Sequence, residues 1–166
     1  MIEQTLDIIK PDGLLRSLTG NIITALTETR LKIVGAKIVK VSDELAKEHY
    51  KEQIGKPFFN ELVQYIRGQL HNQPRVLAMV YQGEGAIKKV RDILGSTNPE
   101  NADTDTIRAR YGRVRTSGLW ENVVHASDSP QTAEREIKLW FKPNELAETI
   151  YPSKEVSQIT KVYLWD

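Results

Sequence analysis

Val76-Leu77-Ala78-Met79-Val80-Tyr81 is nearly all apolar. A run this short and this uniform suits a strand buried on both faces. Gly83-Glu84-Gly85 follows as a strand-to-helix turn, and Ala86, Ile87, Val90 and Leu94 then recur at helical spacing until Gly95. A strand that needs cover beside a helix that supplies it points to a helix-covered sheet. Upstream, Phe59, Leu62, Val63 and Ile66 form a second helical stripe, and the β-branched stretch from Ile33 to Val41 reads as a strand. Ile22, Ile23 and Leu26 mark another helix, and Leu6 to Ile9 is a short strand running into Lys10-Pro11-Asp12-Gly13, which reads as a turn. Downstream, Asn122 to His125 contains a brief strand. Ser129-Pro130 then offers an N-cap and a proline at the first helical position, Ala133, Ile137 and Phe141 carry the buried face, and Pro143 closes the helix. The order β-α-β-α-α-β-α, with a last strand and helix, favours an α/β (α+β) domain with a mixed sheet over a bundle or an all-β sandwich.

The chain has 166 residues, 40% of them hydrophobic, enough for one domain with its own core. It has no cysteine, which excludes disulfides, iron–sulfur ligation, a Cys-rich zinc site and a thiol nucleophile. With 23 Lys+Arg against 22 Asp+Glu the formal charge is +1, so nucleic acid is not an expected partner and any polyanion site has to be local. No stretch approaches the roughly 20 apolar residues of a membrane span, and no signal-peptide pattern opens the chain. The expectation is a soluble, cytoplasmic protein. The simplest division is a catalytic domain over 1–142 and an extension over 143–166, whose Pro143, Pro152 and Val162-Tyr163-Leu164-Trp165 suggest packing on the domain or on a neighbouring subunit.

Common catalytic signatures are missing. There is no G-x-x-x-x-G-K-[ST], no G-x-S-x-G and no H-E-x-x-H, and His49, His71 and His125 are scattered. What remains is a set of phosphate-suited groups at element ends: Lys10, Arg91, Thr97 within Gly95-Ser96-Thr97-Asn98-Pro99, and Arg108 opening a run with Arg110, Arg113 and Arg115. Guanidinium groups present fixed donors that match phosphate oxygens, lysine a compact charge and threonine a hydroxyl. Taken singly, Lys10 and Arg91 read as solvated or salt-bridged surface residues, and only in the run from Arg108 to Arg115 does an anion site compete evenly with a solvated face. His125 ends an apolar run ahead of a capped helix, and Glu136 sits at the edge of that helix's apolar face. An imidazole with an ordinary pKa near 6.5 is largely neutral at pH 7 and therefore nucleophilic. A carboxylate on its far nitrogen would fix the tautomer.

Thr5 to Gly13, Lys56-Pro57-Phe58-Phe59, Gly95 to Pro99, Thr106-Ile107-Arg108 and Asn122-Val123-Val124-His125-Ala126-Ser127-Asp128-Ser129 together resemble, in order, the signatures of the nucleoside diphosphate kinase family. The resemblance implies a ferredoxin-like fold with a mainly antiparallel sheet covered by helices. It implies reversible ping-pong transfer of a γ-phosphoryl group from ATP or another nucleoside triphosphate to a nucleoside diphosphate. By this likeness His125 is the phosphorylated nucleophile and Glu136 its orienting carboxylate. Lys10, Arg91, Thr97, Arg108 and Asn122 hold phosphates and sugar, Tyr50 lies near the transferred group, and Phe58 stacks on the base. Stacking accepts any base, because each has a π-face. Mg²⁺ is implied as an ion carried by the nucleotide phosphates, with no metal site on the protein, and a homo-oligomer, hexamer or tetramer, is implied as the assembly.

The chain departs from the family pattern in two apparent insertions, Gln69–Pro74 and Arg113–Gly118, and in reading Trp120-Glu121 where a glycine-arginine pair is expected. Leu119 is then the candidate second wall of the base pocket. Two other functions compete: a nucleotide-binding sensor that has lost turnover, and a single-strand nucleic-acid module using the arginine run.

Overall fold

In the computed structural model, which describes residues 1–157, the chain forms β1 (Ile2–Ile9), α1 (Pro11–Leu15), α2 (Thr19–Thr27), β2 (Lys32–Val39), α3 (Asp43–His49), α4 (Phe59–Ile66) and β3 (Val76–Glu84). It continues with α5 (Ala86–Leu94), α6 (Ile107–Tyr111), β4 (Arg113–Val114), β5 (Trp120–Glu121), β6 (Val124–Ala126) and α7 (Pro130–Trp140). The principal sheet has the order β2-β3-β1-β6, and each of its pairs is antiparallel. This is the ferredoxin-like arrangement with a mainly antiparallel sheet. The short β4–β5 ladder stands apart from it.

Alternation along β3 explains why no polar residue interrupts Val76–Tyr81. Val76, Ala78 and Val80 enter one core with Ala46 of α3, Val63 and Ile66 of α4, and Ile137 and Trp140 of α7. Met79 and Tyr81 enter another with Ile22 and Leu26 of α2, Val90 and Leu94 of α5, and Ile107 of α6. Helices therefore cover both faces, and each large apolar side chain so buried contributes about 1.5–3 kcal/mol. The end of α7 toward the site is fixed by Ser129, whose hydroxyl accepts from the Thr132 N–H at 3.2 Å.

One local expectation changes, and two other features gain detail. The Lys10-Pro11-Asp12-Gly13 turn is the start of α1, with Lys10 as N-cap and Pro11 at the first helical position. The brief strand expected within Asn122–His125 is β6, which begins at Val124 because Val123 has φ 57° and closes a tight turn in which Val124 N–H reaches the Asn122 carbonyl at 2.6 Å. The two apparent insertions are not independent loops. His71 Nε2, from the first, lies 2.8 Å from Glu121 Oε1, and the same buried carboxylate takes Arg113 and, at 3.1 Å, Arg115 from the second.

The first part of the C-terminal extension lies along the edge strand. Ala147 N–H donates to the Val34 carbonyl at 2.7 Å, Lys37 pairs with Glu145 at 2.6 Å, and Leu146 and Tyr151 pack against the first core. The apolar stretch Val162–Trp165 lies outside the described residues.

Candidate active site

The last strand of the principal sheet carries His125 into a cleft. Ile8 opposes His125 across the β1–β6 ladder, and α7 returns Glu136 beneath the ring. His125 Nε2 is 2.9 Å from Glu136 Oε2, which also accepts from the Ser127 hydroxyl at 2.6 Å. With the carboxylate as acceptor, Nε2 bears the proton. Nδ1 has no hydrogen-bond partner among the described residues. Burial alone would push the Glu136 carboxyl up, but the charge and hydrogen bond of His125, with His49 and Ser127, hold it at about 2. Arg135 adds a guanidinium 3.6 Å from Oε1. Ser127 is thus a support for Glu136 and not a nucleophile.

His49, at the end of α3, is the group that sequence reasoning missed. Its ring meets that of His125 edge-on with centroids 4.5 Å apart, and its Nδ1 accepts from the Trp140 indole at 3.2 Å. Burial and the neighbouring His125 charge keep its pKa well below the ordinary value, so it packs as a neutral ring. The available signal was positional, since Ala46 and His49 share one helical face and are both buried. Tyr50 follows as the helix cap, its hydroxyl buried without a protein partner and its pKa pushed up by burial. It therefore remains a donor.

The β1–α1 junction supplies the first cation. Lys10 Nζ donates to Asn122 Oδ1 at 2.8 Å, and Asn122 Nδ2 donates to the Thr97 carbonyl at 2.9 Å, so three separated segments converge. Burial, reinforced by Arg108 and only partly opposed by Asp12, lowers the Lys10 pKa to about 7. Arg108 donates to the carbonyls of Gly95 and Val124 at 2.9 and 3.0 Å, while its buried Nε has no partner. Burial and Arg91 bring its pKa to about 10, which leaves it cationic at neutral pH. Lys10, Tyr50, Phe58, Arg91, Thr97, Arg108, Asn122, His125 and Glu136 all line one cavity of about 500 Å³. Arg113 and Arg115 belong instead to the Glu121 ion pairs, which removes them from the anion-binding candidates and weakens the nucleic-acid reading.

The side chains of Lys10, Arg91 and Arg108 line this cleft together with the His125 imidazole, and Phe58, Leu62 and Leu119 line it as well. A polyphosphate joined to a flat aromatic base has the matching chemistry, which puts the protein in the class of nucleotide phosphotransferases. The family model for nucleoside diphosphate kinase matches residues 3–146. A nucleoside diphosphate kinase of Bacillus licheniformis is 46% identical over 147 residues, covering 89% of this chain and 93% of that protein. The nucleoside diphosphate kinase of Halobacterium salinarum, solved in complex with CDP, superposes with a TM-score of 0.81 at 39% identity, covering 91% of this chain and 95% of that one. The Borrelia burgdorferi enzyme, solved as a transition-state mimic with vanadate and ADP, superposes with a TM-score of 0.79 at 31% identity, covering 90% and 93%. The chain belongs to the nucleoside diphosphate kinase family. It is a transferase that exchanges phosphoryl groups between nucleoside triphosphates and diphosphates. No helix among the described residues is long and apolar enough to cross a membrane.

Proposed function

We propose that His125 Nδ1 is the atom phosphorylated during this exchange. The observation that carries the proposal is the 2.9 Å contact between His125 Nε2 and Glu136 Oε2, which commits one ring nitrogen and turns the other into the nucleophile. In the first half-reaction Nδ1 forms a bond to the γ-phosphorus as the bond to the β,γ-bridging oxygen breaks, and the diphosphate leaves. The second half-reaction runs the same step backwards onto a different diphosphate. Little proton movement is required, because Nε2–H stays with Glu136 throughout. Charge on the transferred group is spread over its oxygens, so positioning and cations do most of the work. Lys10, Arg91 and Arg108 provide the cations, Asn122 and Thr97 hold sugar and phosphate, the Tyr50 hydroxyl donates beside the transferred group, and Phe58 receives the base.

Mg²⁺ fits this reading as part of the substrate. The cluster of donors close enough to share an ion among the described residues is His49, His125 and Glu136, and it is poor in the oxygens Mg²⁺ requires. An ion carried by the nucleotide would need no such cage and would offset phosphate charge. A homo-oligomer, hexamer or tetramer, is part of the same proposal, and the exposed Ile33 and Ile38 of β2 are apolar area that a neighbouring copy would cover. A cytoplasmic site of action is part of the same proposal. No observation favours the alternative of a sensor without turnover, since the reacting groups are all present in the cleft. Incubation with γ-labelled ATP tests the proposal: an acid-labile, base-stable phosphoenzyme should form and discharge onto GDP. A label that survives His125→Ala unchanged would refute it.

A further inference from the structure

Neighbouring residues of a strand point to opposite sides, and the two residues of β5 divide accordingly. Glu121 turns inward, 0% exposed, and is held by His71, Arg113 and Arg115. Trp120 turns outward. It is 42% exposed and lines the same cavity as Phe58, which is 45% exposed. Leu119, the residue expected to form the second wall of the base pocket, is only 4% exposed and offers that cavity little surface. An indole left half in water, in a cavity that a second exposed aromatic also lines, is apolar area that a flat ligand would cover.

The hairpin that presents Trp120 is fixed at several points. Val114 opposes Trp120 in the β4–β5 ladder, and Arg115 N–H donates to the Leu119 carbonyl at 2.9 Å. Gly118 closes the loop at φ 85°, a conformation that favours glycine. At the tip, the Ser117 hydroxyl donates to Glu61 Oε1 at 2.8 Å and ties the hairpin to α4, the helix that begins beside Phe58. The loop holding His71 braces the hairpin from the other side through Glu121. The two apparent insertions therefore act as one support, and what they support is an aromatic side chain at the cleft.

We propose that Trp120 is a second aromatic contact for the nucleobase, additional to Phe58, and that the Glu121 anchor exists to present it. The inference rests on the reading of the cleft as the nucleotide site. Because contact scales with the size of the ring system, purine nucleotides gain more from it than pyrimidine nucleotides. Trp120 contributes to binding and not to the phosphoryl step.

The test compares Trp120→Leu, which keeps apolar bulk but removes the π-face, with Trp120→Phe, which keeps a smaller one. Trp120→Leu should raise KM for ADP and GDP about tenfold, within the range that base–aromatic stacking supports, and raise it less for CDP and UDP. It should leave kcat unchanged, and Trp120→Phe should restore most of the affinity. Inorganic tripolyphosphate, a competitor without a base, should inhibit wild type and Trp120→Leu equally. Equal weakening of tripolyphosphate would mean that the substitution merely disturbs the fold, and would overturn the proposal. So would normal phosphohistidine formation with unchanged KM for ADP in Trp120→Leu. Should the wild-type chain form no phosphohistidine at all, the nucleotide reading itself fails, a result distinct from either of these.

Discussion

The backbone N–H of Lys10 donates to the carbonyl of Val123 at 2.8 Å. Beside it, the Val123 N–H donates to Asp12 Oδ2 at 3.3 Å. The start of α1 thus grips both polar groups of the one β-branched residue that precedes β6 with positive φ. Such a conformation is costly for valine and persists only where its surroundings over-determine it. Here the cost has a geometric return. The kink turns Asn122 toward Lys10 and Thr97 while releasing His125 into β6, so one strained residue separates the amide proposed to hold sugar and phosphate from the proposed nucleophile.

Asp12→Ala should therefore loosen the kink. Removing the acceptor leaves the buried Val123 N–H unsatisfied, at a cost of about 1–3 kcal/mol. A urea titration should show a lower midpoint with an unchanged slope. Activity should fall with it, because Asn122 loses its fixed position. An unchanged midpoint would mean that the kink does not depend on Asp12.

Glu136→Gln keeps the shape of the carboxylate and an acceptor for Nε2–H but removes the charge. The phosphorylated ring then lacks its counter-ion, and single-turnover phosphorylation by ATP should slow by about 10–100-fold, the range seen when an orienting partner is lost. Ser127→Ala should slow it less. Equal losses would show that the hydrogen bond to Ser127, and not the charge, matters at Glu136.

Lys10 gives the site a pH dependence. Its pKa is lowered to about 7 in the free protein, so it loses its charge as the pH rises through that value. A polyanion in the cleft favours the charged form, and ADP binding at pH 8 should consequently take up protons. Calorimetry in two buffers of different ionisation enthalpy measures this directly. Affinity should weaken from pH 6 to pH 8 in the wild type, and proton uptake should vanish in Lys10→Met. Flat affinity over this interval would place the charge elsewhere.

Asp7 should oppose stability at neutral pH. It is fully buried in β1, its Oδ1 accepts from the Thr5 hydroxyl at 3.4 Å, and its Oδ2 has no partner. Burial pushes its pKa well above 3.8, so the folded chain holds this proton more tightly than the unfolded chain does. Stability from the group is complete below the unfolded pKa and is lost as the pH rises toward the folded value. Asp7→Asn does not titrate and should gain over wild type as pH increases from 4 to 8, by about 1–3 kcal/mol where the difference is largest. Thermal unfolding across that range checks the sign, and a gap that shrinks with pH would contradict it.

The legible part of this chain was the part with periodicity. Val76–Tyr81, the helix after Gly85 and the Ser129-Pro130 cap all carry local signals, and their elements lie where those signals put them. Glu136 was readable as a carboxylate at the edge of an apolar face, and the structure brings it to His125. Asp7 was not readable as buried. It alternates with Leu6 and Ile8 and would ordinarily face water, but helices cover its side of the sheet as well. His49 looked isolated because its contact with His125 is made by tertiary packing of α3. The β4–β5 hairpin was invisible, since two-residue strands are too short to show a period, and the salt bridges of Arg113 and Arg115 went with it. Arg113→Ala should weaken the hold on Glu121, because its guanidinium pairs with that buried carboxylate.

The central claim is tested most directly by locating the phosphate on the imidazole. Wild-type protein phosphorylated by ATP, kept at alkaline pH and analysed by phosphorus NMR and mass spectrometry, should carry a single phosphoryl group on Nδ1 of His125. A phosphoryl group on Nε2, the nitrogen held by Glu136, or on any residue other than His125, would contradict the account.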